Sequence, residues 1–276
     1  KPPLRHVPTW RPPTILAMAH TFDVCIRGGG IVGHTLALLL ARERLRVALV
    51  TPTAAPSSQG DVRAYALNTG SRTLLQSLRA WPEAQHATPV LRMEVHGDQD
   101  GCIHFDAQQY DSEALAWIVD VPALQARLAD AVHFQPQIEQ LTAPVEAPLT
   151  AICEGRTSHT RAELGVSFAV TPYGQQAIAA RLVCAQAHGQ VARQWFTADG
   201  SILAFLPLAG ANGNSVAIVW SVPSERVPAL LALDPQAFAE HVRATSHDAL
   251  GALELVSERA AWPLQQAQAE QWCGHF

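Results

Sequence analysis

Long apolar runs are missing from this chain of 276 residues: nowhere do about 18 uncharged apolar residues follow one another, the length a membrane-crossing helix needs. That excludes a spanning helix but leaves a peripheral membrane contact open. Cysteine is scarce too. Cys25, Cys102, Cys153, Cys184 and Cys273 form no CxxC pair and are odd in number, which argues against a disulfide framework or a structural zinc site and fits a reducing cytoplasm. The 12 histidines contain no HExxH pattern, and the spacing of His241 and His247 does not put them on one helical face, so no metal site is expected. Basic residues do not cluster with aromatics and the net charge is only -5, so nothing points to nucleic acid; a small molecule is the default partner. The opening KPPLRHVPTWRPPTILA lacks the apolar core of a signal peptide, and residues 1–19 read as a disordered extension. Internal repeats and long low-complexity tracts are absent.

What the chain does have is apolar content, 48%, enough for a sizeable core in one large domain or two intimate ones. FDVCIR (22–27) reads as a short buried strand, IVGHTLALLLARE (31–43) as a helix apolar enough to lie under a sheet, and RVALV (46–50) as a second parallel strand. Together they make a βαβ unit. A Pro/Ser/Gly loop (52–60) leads to a helix in SRTLLQSLRAW with Leu74, Leu75 and Leu78 on one face. MEVHGDQDGCIHFD reads as a hairpin turning at Asp98 to Gly101, and WIVDVPALQARLADAV as a strand followed by a helix with Pro122 in its first turn. LTAICEG reads as a strand. VARQWF, SILAFLPL and SVAIVWSV, separated by Asp199-Gly200 and Asn212-Gly213-Asn214, predict an antiparallel meander. A helix over 226–247, interrupted at Asp234-Pro235, and a strand in LELVSERAAWPL follow. The order predicts an α/β fold: a Rossmann-like dinucleotide-binding domain on a parallel sheet, interleaved with an antiparallel-sheet domain.

Gly28, Gly30 and Gly33 satisfy GxGxxG after a strand and at the start of a helix, the context that gives the motif meaning. Gly28 permits the tight turn, Gly30 removes a Cβ that would obstruct a pyrophosphate, and Gly33 lets helix and strand approach; the helix N-terminus offers free N–H groups. An acidic residue normally ends the second strand and takes the ribose hydroxyls, but Thr51 stands there. Its one neutral hydrogen bond would weaken binding by about 1–3 kcal/mol. No second GxGxxG encodes a separate nicotinamide domain.

Four stretches in order resemble the flavin-dependent aromatic hydroxylases of ubiquinone biosynthesis, within the para-hydroxybenzoate hydroxylase class of monooxygenases: GGGIVG; DVRAYALN, like the family's DxRxxAL; EGRTSHTR, a variant of its DGxxSxxR; and YGQ followed by QWF, LPL and VWS. The resemblance implies FAD as cofactor, NAD(P)H as a transient reductant, and a prenylated phenol hydroxylated by O₂ through a C4a-hydroperoxide of the flavin. By position, Gly28, Gly30 and Gly33 would hold the pyrophosphate, Arg63 would contact the cofactor, and Gln125 would approach the phosphates. Glu154 stands where the family has aspartate, one methylene longer, with Ser158 and Arg161 matching. The apolar meander would line the substrate pocket through Trp195, Phe205, Leu206, Pro207 and Trp220, unless these are simply the core of the sheet; alternation makes Val216, Ile218 and Trp220 the sharper choice of face. No catalytic side chain is singled out, since the cofactor carries the hard chemistry.

The resemblance also implies domain limits: 20–86 and 114–165 for the FAD domain, 87–113 and 166–264 for the substrate domain, and 265–276 as the start of a C-terminal part that family members continue into a Gly-Asp segment. The span between the helix ending near Val132 and LTAICEG is short for the family. A truncated, non-catalytic chain acting as a scaffold for sister enzymes is the alternative to an active monooxygenase. The expected location is cytoplasmic, with a peripheral contact to the inner membrane or to a ubiquinone-biosynthesis complex left open. An NAD-dependent dehydrogenase shares only the first fingerprint.

Overall fold

A computed structural model describes residues 21–51, 60–99 and 101–275. The expected N-terminal extension, most of the Pro/Ser/Gly loop and part of the hairpin turn lie outside the described residues.

The first βαβ unit forms as its pattern dictates. Strands β1 (Val24–Arg27) and β2 (Val47–Val50) pair in parallel, and helix α1 (Ile31–Arg42) crosses between them. The Val47–Val50 run is buried throughout, as a strand covered on both faces must be. Small strand β3 (Ala64–Leu67) and helix α2 (Thr69–Ser77) follow; Leu75 and Leu78 turn into the core while Leu74 stays at the surface, so the expected three-leucine face is reduced to two. Strands β4 (Ala87–Val90), β5 (Arg92–His96), β6 (Cys102–Asp106) and β7 (Ala116–Asp120) lead to helix α3 (Val121–His133). Asp120 caps α3 by accepting from Ala123 N–H, Pro122 sits in its first turn, and Val121, Leu124, Leu128 and Val132 form its buried stripe. Strands β8 (Ile138–Leu141) and β9 (Leu149–Ile152) complete a parallel sheet in the order β8-β2-β1-β9. Helices α1 and α3 pack on it and on each other.

The second half is built on one long strand, β10 (Phe168–Cys184), reached after the one-turn helix α4 (His159–Glu163). With β11 (Val191–Phe196), β12 (Ile202–Leu208), β13 (Ser215–Pro223) and β14 (Leu253–Leu255) it forms the expected antiparallel meander, in the order β14-β10-β13-β12-β11-β5-β6. The β5–β6 hairpin joins the edge of this sheet through a parallel β5–β11 pairing, which short-range turn signals could not announce. Strands β3, β7 and β4 form a separate three-stranded sheet.

Helices α5 (Val227–Ala232) and α6 (Pro235–Thr245), with the break at Asp234-Pro235, cover one face of the large sheet. Their Leu230, Phe238 and Val242 pack against Ile178, Leu182, Phe205, Ile218 and Trp220. The LELVSERAAWPL segment is two strands rather than one: β14, and then β15 (Ala260–Ala269), which runs beyond WPL and pairs with the first half of β10. The register of that pair shifts between Pro172 and Gln176, where Gly174 adopts a positive φ of 70°. Among the described residues, no helix is long and apolar enough to cross a membrane, and no group of three His, Cys, Asp or Glu is placed to hold a metal.

Candidate cofactor site

The turn between β1 and α1 is shaped by contacts that only glycine allows. Gly28 has φ +117°, and a Cβ there would collide with the backbone of Cys153 on the neighbouring strand end. At Gly33 a Cβ would overlap the carbonyl of Gly28. Gly30 differs: among the described residues nothing lies within 4 Å of the position its Cβ would take, and the residue lines an open cleft of about 560 Å³. The first-turn N–H groups of α1 therefore face a space from which a side chain has been withheld. Gly30 is the N-cap, no side chain caps the helix, and no acidic residue stands in its first turn. An uncapped N-terminus with no acidic residue in its own first turn suits an anion.

The cleft collects residues from four separate stretches of sequence. Gly28, Gly29 and Gly30 meet Arg63 and Tyr65 from the β3 segment, Gln125 from α3, and Cys153, Glu154 and Gly155 after β9. Arg63 is held by two bonds to Asp61, Nε at 2.8 Å and Nη2 at 2.6 Å, and donates to the Tyr65 hydroxyl at 3.2 Å. The fork fixes the guanidinium in place while leaving it part of the cleft wall. Gln125 is exposed on the second turn of α3.

Glu154 is turned into a local network. It accepts from Ser158 Oγ at 2.7 Å, Thr160 N at 3.0 Å and Thr160 Oγ1 at 2.5 Å, and pairs with Arg27 Nε at 3.4 Å. Ser158 also caps α4, and the Arg161 guanidinium lies 3.5 Å from the centre of the Phe168 ring. Thr51 is not among the residues lining the cleft; it is exposed at the end of β2 with its hydroxyl against Gly29, where a Gly29 Cβ would have to go. Sequence reasoning missed Asp61, Tyr65 and Arg27. The signals were an acid two residues before Arg63, and a charge closing the otherwise apolar strand VCIR opposite Glu154.

Both carboxylates titrate below their ordinary range. The hydrogen bonds from Arg63 lower Asp61, overcoming the opposing effect of burial. Burial pushes Glu154 up, but hydrogen bonds from Thr160 and Ser158 and the charge of Arg27 outweigh it. A depressed folded-state pKa contributes stability that is present above the unfolded value and lost as pH falls through the folded one. Urea melts of the wild type should thus lose stability on acidification below about pH 5, and Asp61→Asn should flatten that slope. Equal slopes in the two proteins would refute the assignment.

The expected pocket-lining aromatics are placed elsewhere. Trp195 and Trp220 are 3% and 2% exposed and lie in the core beneath α5 and α6, with Phe205 and the Val216–Ile218 face. Pro207 is buried on the same side of β12 as Phe205. The helices need an apolar partner, and the large side chains of the meander supply it. Leu206 points the other way and packs against Val90, Ile118 and Ala192. That second face also carries Ala177, Ala204 and Val219 and, on β10, Arg181, whose side chain reaches Val62 and Arg63. It is the face turned toward the cofactor half.

Comparison with known proteins gives the same direction. No family model matches the chain. In sequence it is 27% identical over 279 residues to the ubiquinone hydroxylase UbiL of Rhodospirillum rubrum, covering 92% of this chain and 64% of that protein. It is 28% identical over 227 residues to the 3-demethoxyubiquinol 3-hydroxylase of Escherichia coli, covering 72% and 56%. In structure it superposes on PqsL, a probable FAD-dependent monooxygenase of Pseudomonas aeruginosa, with a TM-score of 0.67, 18% identity, and 85% and 72% coverage. It superposes also on the flavin-dependent monooxygenase PieE in complex with FAD and substrate, with a TM-score of 0.68, 16% identity, and 92% and 51% coverage. The chain has the fold of the FAD-dependent monooxygenases and is similar in sequence to these two hydroxylases. It spans less than two-thirds of the length of each of those two hydroxylases.

Proposed function

We propose that this chain belongs to an FAD-dependent monooxygenase that hydroxylates the ring of a prenylated phenol in ubiquinone biosynthesis, with NAD(P)H as reductant and O₂ as oxygen donor. The observation that carries the reading is the convergence of Gly28, Gly30, Arg63, Gln125 and Glu154 on one cleft at an uncapped helix N-terminus. The names of the related ubiquinone hydroxylases supply the substrate class.

The residues present fit a dinucleotide. The α1 N–H groups would take the diphosphate, the absent Cβ of Gly30 leaves it room, and Arg63, already oriented by Asp61, adds a fixed positive charge. Glu154 has most of its acceptor capacity filled by Ser158, Thr160 and Arg27, so its part is to shape the cleft wall through Gly155. Bound there, FAD would supply electron transfer and the activation of dioxygen. The chain's own contribution on the substrate side is the small-residue face of Ala177, Ala204 and Val219, an apolar wall that excludes water and orients a ring. A prenylated substrate brings its own affinity for lipid, so a peripheral contact with the inner membrane accords with this reading. Binding to sister enzymes would serve the same supply.

The test is FAD uptake. Purified protein should quench FAD fluorescence on titration and show a bound-flavin visible spectrum, and Arg63→Ala should weaken binding by about tenfold, the scale of one charge-assisted contact. Failure to take up FAD removes the reading; uptake without NAD(P)H-dependent turnover of any prenylated phenol favours a scaffold role.

A further inference from the structure

Arg181 leaves the substrate-side sheet and ends on the cofactor half. Its backbone N–H is anchored by Ser257 Oγ at 2.8 Å, and its neighbours Ala180 and Leu182 point into the helix-covered core, so its side chain projects from the opposite face. There Nη1 pairs with Asp120 Oδ2 at 2.5 Å, Nε donates to the carbonyl of Val62 at 3.3 Å, and Nη2 donates to the carbonyl of Arg63 at 3.4 Å. Each of these partners governs a wall of the cleft. Asp120 caps α3, the helix that carries Gln125. The carbonyl of Arg63 also accepts from Val121 N–H at 3.2 Å, so that one oxygen joins the arginine segment to α3 and to β10.

We propose that Arg181 is a positioning residue of the cofactor cleft: its three-pronged contact with Asp120, Val62 and Arg63 sets the backbone from which the Arg63 side chain and α3 face the dinucleotide. The inference rests on the reading of the cleft as an FAD site. Only a planar fork meets three acceptors at these separations; an ammonium at the same place can hold Asp120 but cannot also serve both carbonyls. The arrangement couples the sheet proposed to face the substrate to the loop proposed to hold the diphosphate, through one side chain that is 25% exposed.

A double-mutant cycle separates positioning from simple stapling. FAD dissociation constants are measured by fluorescence quenching for the wild-type chain, Arg181→Met, Arg63→Ala and the double variant, together with urea melts without FAD. Arg181→Met should weaken FAD by about tenfold in the wild-type background and by clearly less, about threefold, where Arg63 is already alanine and only the share passing through α3 remains, while its effect on the melts is the same in both. Equal weakening in the two backgrounds, or none in either, overturns the proposal. If Arg181→Met does not fold, Arg181→Lys takes its place: retained stability with weakened FAD binding supports positioning, and unchanged binding refutes it. Loss of all FAD binding in the wild type is a different result, and sinks the cofactor reading and this inference together.

Discussion

Gly33→Ala is expected to destabilise the chain by several kcal/mol, whereas Gly30→Val should leave its stability within about 1 kcal/mol of wild type and abolish FAD uptake. The two glycines belong to one motif but answer to different neighbours. A methyl group at Gly33 would have to occupy the space of the Gly28 carbonyl, and that oxygen is backbone at the end of a buried strand whose N–H is bonded to Val50. Neither α1 nor β1 can give way without disturbing Ala37, Leu38 and Ile26, which fill the core between them. At Gly30 the backbone is extended, φ -81° and ψ -175°, a conformation any residue adopts, and among the described residues the added group meets only the cleft. Urea melts and FAD titration of the two variants give the comparison. A Gly30→Val protein that binds FAD as tightly as wild type would show that the cleft is not the diphosphate site.

The parts of this fold that short-range pattern could express were legible in the sequence. The βαβ unit, the Asp120 and Asp234 caps and the meander all rest on contacts between residues close in sequence, and turns such as Asp199-Gly200 mark their ends. What could not be read depends on distant pairing. The first half of β10, with Thr171, Pro172 and Gly174, has no strand-like alternation, and it is a strand because β15, almost 100 residues later, pairs with it. The three-stranded β3-β7-β4 sheet is assembled from pieces too short to signal alone. At the site, Gly28, Gly30, Arg63, Gln125 and Glu154 line one cleft while Gly33, Thr51, Ser158 and Arg161 lie outside its lining, and the supports of the cleft residues do not follow from local spacing. Arg27 with Glu154, and Arg181 with Asp120, are more than 60 residues apart.

The meander shows the limit most clearly, because alternation in SVAIVWSV identified the Val216–Ile218–Trp220 face correctly as a unit and gave no means of telling a helix-covered core from a substrate pocket. Trp220→Ala decides between them by the size and kind of its effect. The indole is 2% exposed, packs 6.2 Å from the Phe238 ring and fills the space between β13 and α6. Removing it should cost about 3–5 kcal/mol, a large part of the stability of an ordinary domain and enough to lower the urea midpoint sharply. Its indole N–H is buried with no hydrogen-bond partner among the described residues, so Trp220→Phe gives up none of the bonds seen there and should cost less, about 1–2 kcal/mol for the smaller ring. Both variants should keep FAD affinity under conditions where they remain folded, since the residue lies behind the sheet from Arg181 and the cleft. Val219→Trp, one residue away on the opposite face, should behave in the reverse manner and impair substrate binding with little loss of stability. If Trp220→Ala instead melts like wild type and loses only substrate affinity, the two faces have been exchanged and the wall assigned to Ala177, Ala204 and Val219 must be abandoned.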